Sequence, residues 1–315
     1  MTAFLDFEKQ VAALDRQIAE LRDMGDDPTL NIDNDIARLE DKSSKLLRDI
    51  YAKLTPWQKT QVARHPDRPH FKHYVAGLFD DWMPLAGDRN FGDDQAILGG
   101  LARFRGRRVM VIGHEKGDDI PSRMKHNFGM AKPEGYRKAI RLMQLADRFG
   151  LPVVTLVDTS GAFPGIQAEE RGQAEAIARS TEQCLALGVP MVAAIVGEGG
   201  SGGAIALAAA NRVLMFEHAV YSVISPEGCA SILWRTSDKA ADAAAAMKMS
   251  AQDLLGLKII DRIVAEPVGG AHRAPEVAIA TLGDAIAQEL DGLSGLPRDA
   301  ILAAREEKFL AMGRG

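Results

Sequence analysis

Cysteine is nearly missing from this chain, and so are long apolar runs and any surplus of positive charge. The 315 residues hold two cysteines, Cys184 and Cys229, without C-x-x-C spacing. That excludes a disulfide framework and a cysteine-ligated zinc site, so no metal is expected. Cys229 reads as a small buried residue. No apolar run reaches the ~20 residues a membrane helix needs. Asp6 and Glu8 put acids where a signal peptide would be basic and then apolar. A cytoplasmic protein with no membrane span is expected. A net charge of −5 argues against nucleic acid as the principal ligand. The phosphate-loop pattern G-x-x-x-x-G-K-[ST] is absent, so no ATP site is expected. No repeat and no low-complexity linker occurs. The remainder, 46% hydrophobic and 26% charged, is long enough for one large domain or two.

Glycine is abundant where it matters. Residues 189–212 read VPMVAAIVGEGGSGGAIALAAANR. The apolar run 191–196 predicts a buried strand that breaks at Gly197. Five of the six residues after Glu198 are glycine or serine, and an alanine-rich helical segment follows. Glycines let backbone N–H groups approach a ligand, and a helix N-terminus adds partial positive charge. The loop therefore suits an oxyanion or a phosphate. Three templates fit it. Gly197, Gly199 and Gly202 match the dinucleotide pattern G-x-G-x-x-G, with Glu217 as a ribose-binding acid. Gly199, Ser201 and Gly203 match the nucleophile elbow G-x-S-x-G. The third template is an oxyanion hole built from N–H groups near Gly202 and Gly203. A plain packing turn has the same composition.

A second loop bears on the choice. Residues 151–165 read LPVVTLVDTSGAFPG, a buried strand at 152–157 followed by turn formers and a Pro164–Gly165 break. A helix-like segment, 167–187, separates the two strands. A right-handed crossover would bring both loops to one sheet edge. Two sets of backbone donors facing one cleft suit a reaction that polarises carbonyls, whereas a dinucleotide fold needs one.

The chain divides into three zones. Residues 1–55 predict a helical hairpin, with apolar Leu14, Ile18, Leu21, Ile36, Leu39, Leu46, Leu47 and Ile50 and a break at 25–28. Thr55–Pro56 reads as an N-cap and first helical residue. Residues 56–265 alternate strand and helix, with strands at 107–112 and 212–216 and a helix at 135–149, which defines an α/β core. Residues 266–315 are helical, with breaks at 269–275 and 295–297.

Several blocks, in order along the chain, carry a resemblance. They are FDDWMPLAGDR at 79–89, IGHEKG at 112–117, NFGMAKPEGYRKA at 127–139, VDTSGAFPG at 157–165, GEGGSGGA at 197–204 and SPEGCASILWR at 225–235. With them the chain resembles the alpha-subunit family of bacterial acetyl-CoA carboxylase carboxyltransferases, within the crotonase-like superfamily. The resemblance implies a crotonase-like core, a ββα superhelix. It implies a beta-subunit partner carrying a four-cysteine zinc module, an α2β2 assembly, biotin on a separate carrier protein and a separate biotin carboxylase. The implied reaction moves a carboxyl group from carboxybiotin to acetyl-CoA, giving malonyl-CoA for fatty acid synthesis. It needs a stabilised thioester enolate and a stabilised ureido oxygen, both oxyanions best held by fixed backbone donors. The departing biotin nitrogen serves as base, as proposed for the family. Superfamily hydratases place a glutamate three residues after the oxyanion glycine. Counting from Gly202 reaches Ile205 here, which transfers no proton.

The expected backbone donors are Gly202, Gly203, Gly161 and Ala162. Gly199, Gly200, Ser201 and Phe163 are expected to line the substrate site. Ser201 is read as small rather than nucleophilic, because no triad partners are evident. Lys125, Lys132 and Arg137 are candidates for CoA phosphates or the incoming carboxylate, against solvated surface as the alternative. Arg235 is expected among the substrate-binding residues, and because it follows an apolar stretch a buried pairing is expected of it. Asp158 is expected to cap its turn, with contact to a ligand as the alternative, and Glu198 and Glu227 to be structural or interfacial. His114 and His126 fit no ligand spacing. Two other readings stand beside this one: a nucleotide-binding oxidoreductase of the NAD(P) type, and a non-catalytic scaffold subunit.

Overall fold

The computed structural model describes residues 3–23 and 32–314. The expected break at 25–28 lies outside the described residues. One sheet organises the chain. Its strands are β1 (Asp80–Pro84), β2 (Ile97–Phe104), β3 (Arg107–His114), β4 (Val153–Thr159), β5 (Met191–Gly200), β6 (Arg212–Phe216), β7 (Val220–Ser222) and β8 (Arg262–Val264). Their order is β1-β2-β3-β4-β5-β6-β8, with β7 paired to β5. The β1–β2 and β2–β3 pairs are antiparallel, and from β3 onward the sheet is parallel.

The central strands explain themselves. All seven residues of β4, VVTLVDT, are buried, as a parallel strand covered on both faces requires. Thr155, polar amid the apolar part of the strand, donates its hydroxyl to the Leu207 carbonyl at 2.7 Å. The helix Pro133–Phe149 covers one side, starting on a proline and ending at Gly150 in the left-handed region, φ 65°. The helix Gln173–Ala186 packs beside it, and the helix Ser201–Ala208 packs on β4 and β5.

The expected strands and helices are all present, with two corrections. The 167–187 segment is two helices, Ile166–Glu170 and Gln173–Ala186, because Gly172 adopts φ 78° between them. β5 does not stop at Val196. It continues through Gly197, Glu198 and Gly199 to Gly200, since β7 pairs with Glu198–Gly200 and Thr159 of β4 with Gly199. The turn is thus compressed into Ser201, whose φ is +50°.

At the N-terminus, Lys9–Asp23 and Ile32–Tyr51 pack together. Thr55 caps the helix Pro56–Ala63, its hydroxyl accepting from the Gln58 N–H at 3.3 Å. The helices Pro275–Leu293 and Arg298–Ala311 close the chain.

Candidate functional site

Strands β4 and β5 are parallel neighbours, so both glycine loops leave the same end of the sheet. At Gly200 and Gly203 they touch backbone to backbone. A methyl group added at Gly200 would lie 2.2 Å from the Ser160 carbonyl oxygen, and one at Gly203 would lie 2.8 Å from the Gly161 carbonyl carbon. Only glycine permits that approach. Gly202 is looser, its nearest neighbour being the Ile177 side chain at 3.2 Å. No side chain caps the helix that begins at Ser201, so its first N–H groups lack an intrahelical partner.

A cavity of about 700 Å³ opens beside this contact. Gly161, Ala162, Phe163, Ser160 and Ser201 form one wall, and Val223, Ile224, Ser225 and Glu227 form part of the rest. Gly199 and Gly200 line a smaller recess next to it. Gly202 and Gly203 lie behind Ser201 at the start of the helix and line neither space. The lining holds no histidine, so Ser201 has no imidazole base within the cavity despite its elbow-like backbone.

The second loop needs one correction. The Gly161 N–H donates to Thr159 Oγ1 at 3.1 Å, while that hydroxyl donates to the Gly161 carbonyl at 2.7 Å. Its donor is therefore already engaged. What Gly161 supplies is shape: φ is +147°, and a side chain there would project into open space. The N–H of Ala162 meets no acceptor among the described residues. Phe163 and the residue before Lys132 are tied together, with Gln173 Nε2 donating to the Ala131 and Phe163 carbonyls at 2.8 and 3.0 Å.

None of the expected cations lines the cavity itself. Lys132 Nζ sits 4.9 Å over the Phe163 ring. Arg137 donates to the Arg171 carbonyl at 2.7 Å and pairs with Glu175 at 3.6 Å. Lys125 is exposed. Arg235 is exposed at the end of the helix Pro226–Trp234, with φ +57°. The expected buried pairing is absent because the preceding Ile232, Leu233 and Trp234 are themselves exposed. Cys229 is half-buried rather than buried.

Asp158 does not cap its own turn. It is buried at the end of β4, where Oδ1 accepts from the Glu198 N–H at 2.9 Å and from Lys116 Nζ at 2.7 Å. Gly197 is glycine for this reason, since an added carbon would meet that carboxylate at 2.4 Å. Burial alone would raise the Asp158 pKa, but Lys116 and His70 hold it well below the usual carboxylate range. Glu198 accepts from Arg64 Nε at 2.7 Å and Lys116 Nζ at 3.2 Å. Arg64 also forks onto Glu227, at 2.5 and 3.3 Å. Sequence reading missed Arg64 and Lys116. Arg64 lies 134 and 163 residues from its two partners, and no local pattern signals such a pairing.

Comparison with known proteins places this geometry. Its fold is shared with solved carboxyltransferase and decarboxylase structures. The transcarboxylase 12S subunit superposes with a TM-score of 0.60 at 19% identity, covering 75% of this chain and 44% of that one. A Pseudomonas malonate decarboxylase hetero-tetramer solved with coenzyme A gives 0.56 at 18% identity, covering 69% of this chain and 86% of that one. The family model for acetyl co-enzyme A carboxylase carboxyltransferase-like proteins matches residues 4–313. The chain is 94% identical over 314 residues to the acetyl-coenzyme A carboxylase carboxyl transferase subunit alpha of Sphingopyxis alaskensis, covering 100% of both. It is 74% identical over 313 residues to that of Rhizorhabdus wittichii, covering 99% of this chain and 100% of the relative. The chain belongs to the family of acetyl-CoA carboxylase carboxyltransferase alpha subunits.

Proposed function

We propose that this subunit holds two oxyanions with backbone N–H groups while a carboxyl group passes from carboxybiotin to acetyl-CoA. The observation that supports this reading most is the contact between the two loops. It joins the uncapped start of the helix Ser201–Ala208 to the free Ala162 N–H at one cavity. Ala162 is the donor that lines the cavity, and Gly202 and Gly203, behind Ser201 in the first turn of the helix, are the donors proposed on the other loop. Such donors are preorganised, so they need no rearrangement as charge develops on an enolate or ureido oxygen. Gly161 keeps the space in front of them empty. Gly199 and Gly200 hold the floor, and Phe163 and Ser201 line the walls. Lys125 and Lys132, the latter at the Phe163 rim, are the candidate contacts for CoA phosphates. Arg137 and Arg235 shape the surroundings instead.

The substrates are acetyl-CoA and the carboxybiotin of a carrier protein, charged by a separate biotin carboxylase. The beta subunit completes the site in an α2β2 assembly in the cytoplasm. Among the described residues no helix is long and apolar enough to cross a membrane, and no acid, histidine and cysteine cluster could hold a metal ion. The division at 55 and 265 into a helical region, a carboxyltransferase core and a C-terminal helical region is part of this reading. Mixing with the cognate beta subunit should yield malonyl-CoA formation that neither chain gives alone. Robust turnover by the isolated chain would contradict it. The same assay separates catalyst from scaffold, because a scaffold subunit would tolerate a disrupted glycine loop.

A further inference from the structure

Arg64 occupies a position that the backbone-donor account does not use. It follows the helix Pro56–Ala63, and its own N–H closes that helix on Thr60 and Val62. It lines the 700 Å³ cavity, the Gly199–Gly200 recess and a third cavity of about 200 Å³ that Ser160 also lines. One guanidinium edge, through Nε, meets Glu198 at 2.7 Å. The other edge forks onto Glu227 at 2.5 and 3.3 Å.

The two carboxylates belong to different walls of the site. Glu198 stands on β5 directly before Gly199, Gly200 and Ser201, and Lys116 and Asp158 fix it from the far side. Glu227 stands in the first turn of the helix Pro226–Trp234. That helix, with Val223, Ile224 and Ser225 before it, faces the glycine loops across the cavity. It packs chiefly on residues 237–246 rather than on the sheet. Few apolar contacts therefore fix its distance from the loops. Burial lowers the Arg64 pKa, yet the hydrogen bonds and charges of Glu227 and Glu198 outweigh it and hold the guanidinium protonated. A fork of this kind has fixed geometry, which a lysine point charge lacks.

We infer that Arg64 is a positioning residue for carboxyl transfer, setting the distance between the glycine loop and the helix Pro226–Trp234 through Glu198 and Glu227. The inference rests on the carboxyltransferase reading above. An error of about 1 Å in the placement of reacting groups is enough to cost on the order of a hundredfold in rate. Breaking the fork would let the helix wall shift by such an amount without touching a donor.

The test uses the reconstituted alpha–beta complex, with kcat for malonyl-CoA formation and KM for acetyl-CoA measured beside the sedimentation profile and melting temperature. Arg64→Ala should lower kcat on the order of a hundredfold, with a smaller change in KM and the complex intact. Arg64→Lys should recover only part of the loss. Glu227→Gln should lower kcat in the same sense, and the double variant should lose little more than Arg64→Ala, because both act through one contact. A merely stabilising ion pair would lower the melting temperature and leave kcat per assembled complex unchanged, which overturns the inference. So do two losses that simply multiply. If Arg64→Ala fails to assemble, Glu227→Gln alone decides, and a normal kcat there overturns the proposal. An inactive wild-type complex would instead refute the carboxyltransferase reading itself.

Discussion

Gly203 and Gly200 are small because another backbone occupies the space a side chain would need. Sequence alone locates these glycines and their link to oxyanion binding. It misattributes the reason, since the space denied to a side chain at Gly203 is filled by Gly161 and Ala162 rather than by substrate. Gly203→Val should therefore push the two loops apart and disturb the donors of both. Loss of one oxyanion donor typically costs ~2.7–4 kcal/mol, or roughly 10²–10³ in rate. A kcat reduced by at least that factor in an assembled complex is expected, and near-normal kcat would mark the contact as packing only. Asp158 and Glu198 show the other limit of sequence reading. Their types are visible, but their partners Lys116 and Arg64 come from distant segments, and only the fold brings them together.

At the scale of elements, the strands that carry the site are legible because their apolar runs are continuous. β4 and β5 stand out for that reason. β1, β7 and β8 do not, being three to five residues long, with β1 mostly exposed and β7 and β8 mostly half-buried. The C-terminal helix Arg298–Ala311 is legible as a helix, but its task is not. It buries Arg305 completely, and among the described residues Arg305 makes no ion pair with a carboxylate. Arg305 donates to the Cys184, Leu185 and Val189 carbonyls at 2.9, 3.3 and 3.1 Å, and also to the Leu187 carbonyl and Asn211 Oδ1. These include the free carbonyls where the helix Gln173–Ala186 runs into β5. Burial lowers the Arg305 pKa to about 10, still far above neutrality. Arg305→Met should orphan these acceptors, each worth about 1–3 kcal/mol when buried and unpaired. A urea midpoint lowered by at least ~2 kcal/mol of stability is expected, and an unchanged midpoint would show that water or repacking replaces the guanidinium.

For the whole molecule, buried titratable groups set an acid limit. His114 is buried with neither ring nitrogen hydrogen-bonded, and burial lowers its pKa to about 4. Glu266, paired with Arg68 inside the protein, resists its burial through that guanidinium and falls to about 2. Both folded values lie below the unfolded ones, so the unfolded chain binds more protons as pH falls. Stability from His114 is present above pH ~6.5 and lost toward pH ~4, and that from Glu266 is present above pH ~4.5 and lost toward pH ~2. Urea unfolding at pH 8 and pH 5 should differ by about 2 kcal/mol from His114 alone, the acid sample being weaker. A flat profile would contradict this. The family, the fold and the two loops are readable from the chain, whereas the charge network joining them depends on contacts made after folding. The claim that unites these scales is that backbone, not a side-chain nucleophile, carries the chemistry. The most direct test is malonyl-CoA formation from carboxybiotin by the reconstituted complex containing Ser201→Ala. The account predicts a loss no greater than a hydrogen bond's worth, ~0.5–1.5 kcal/mol. A fall beyond roughly a thousandfold, about 4 kcal/mol, with the complex still assembled, would contradict it and assign Ser201 a covalent role.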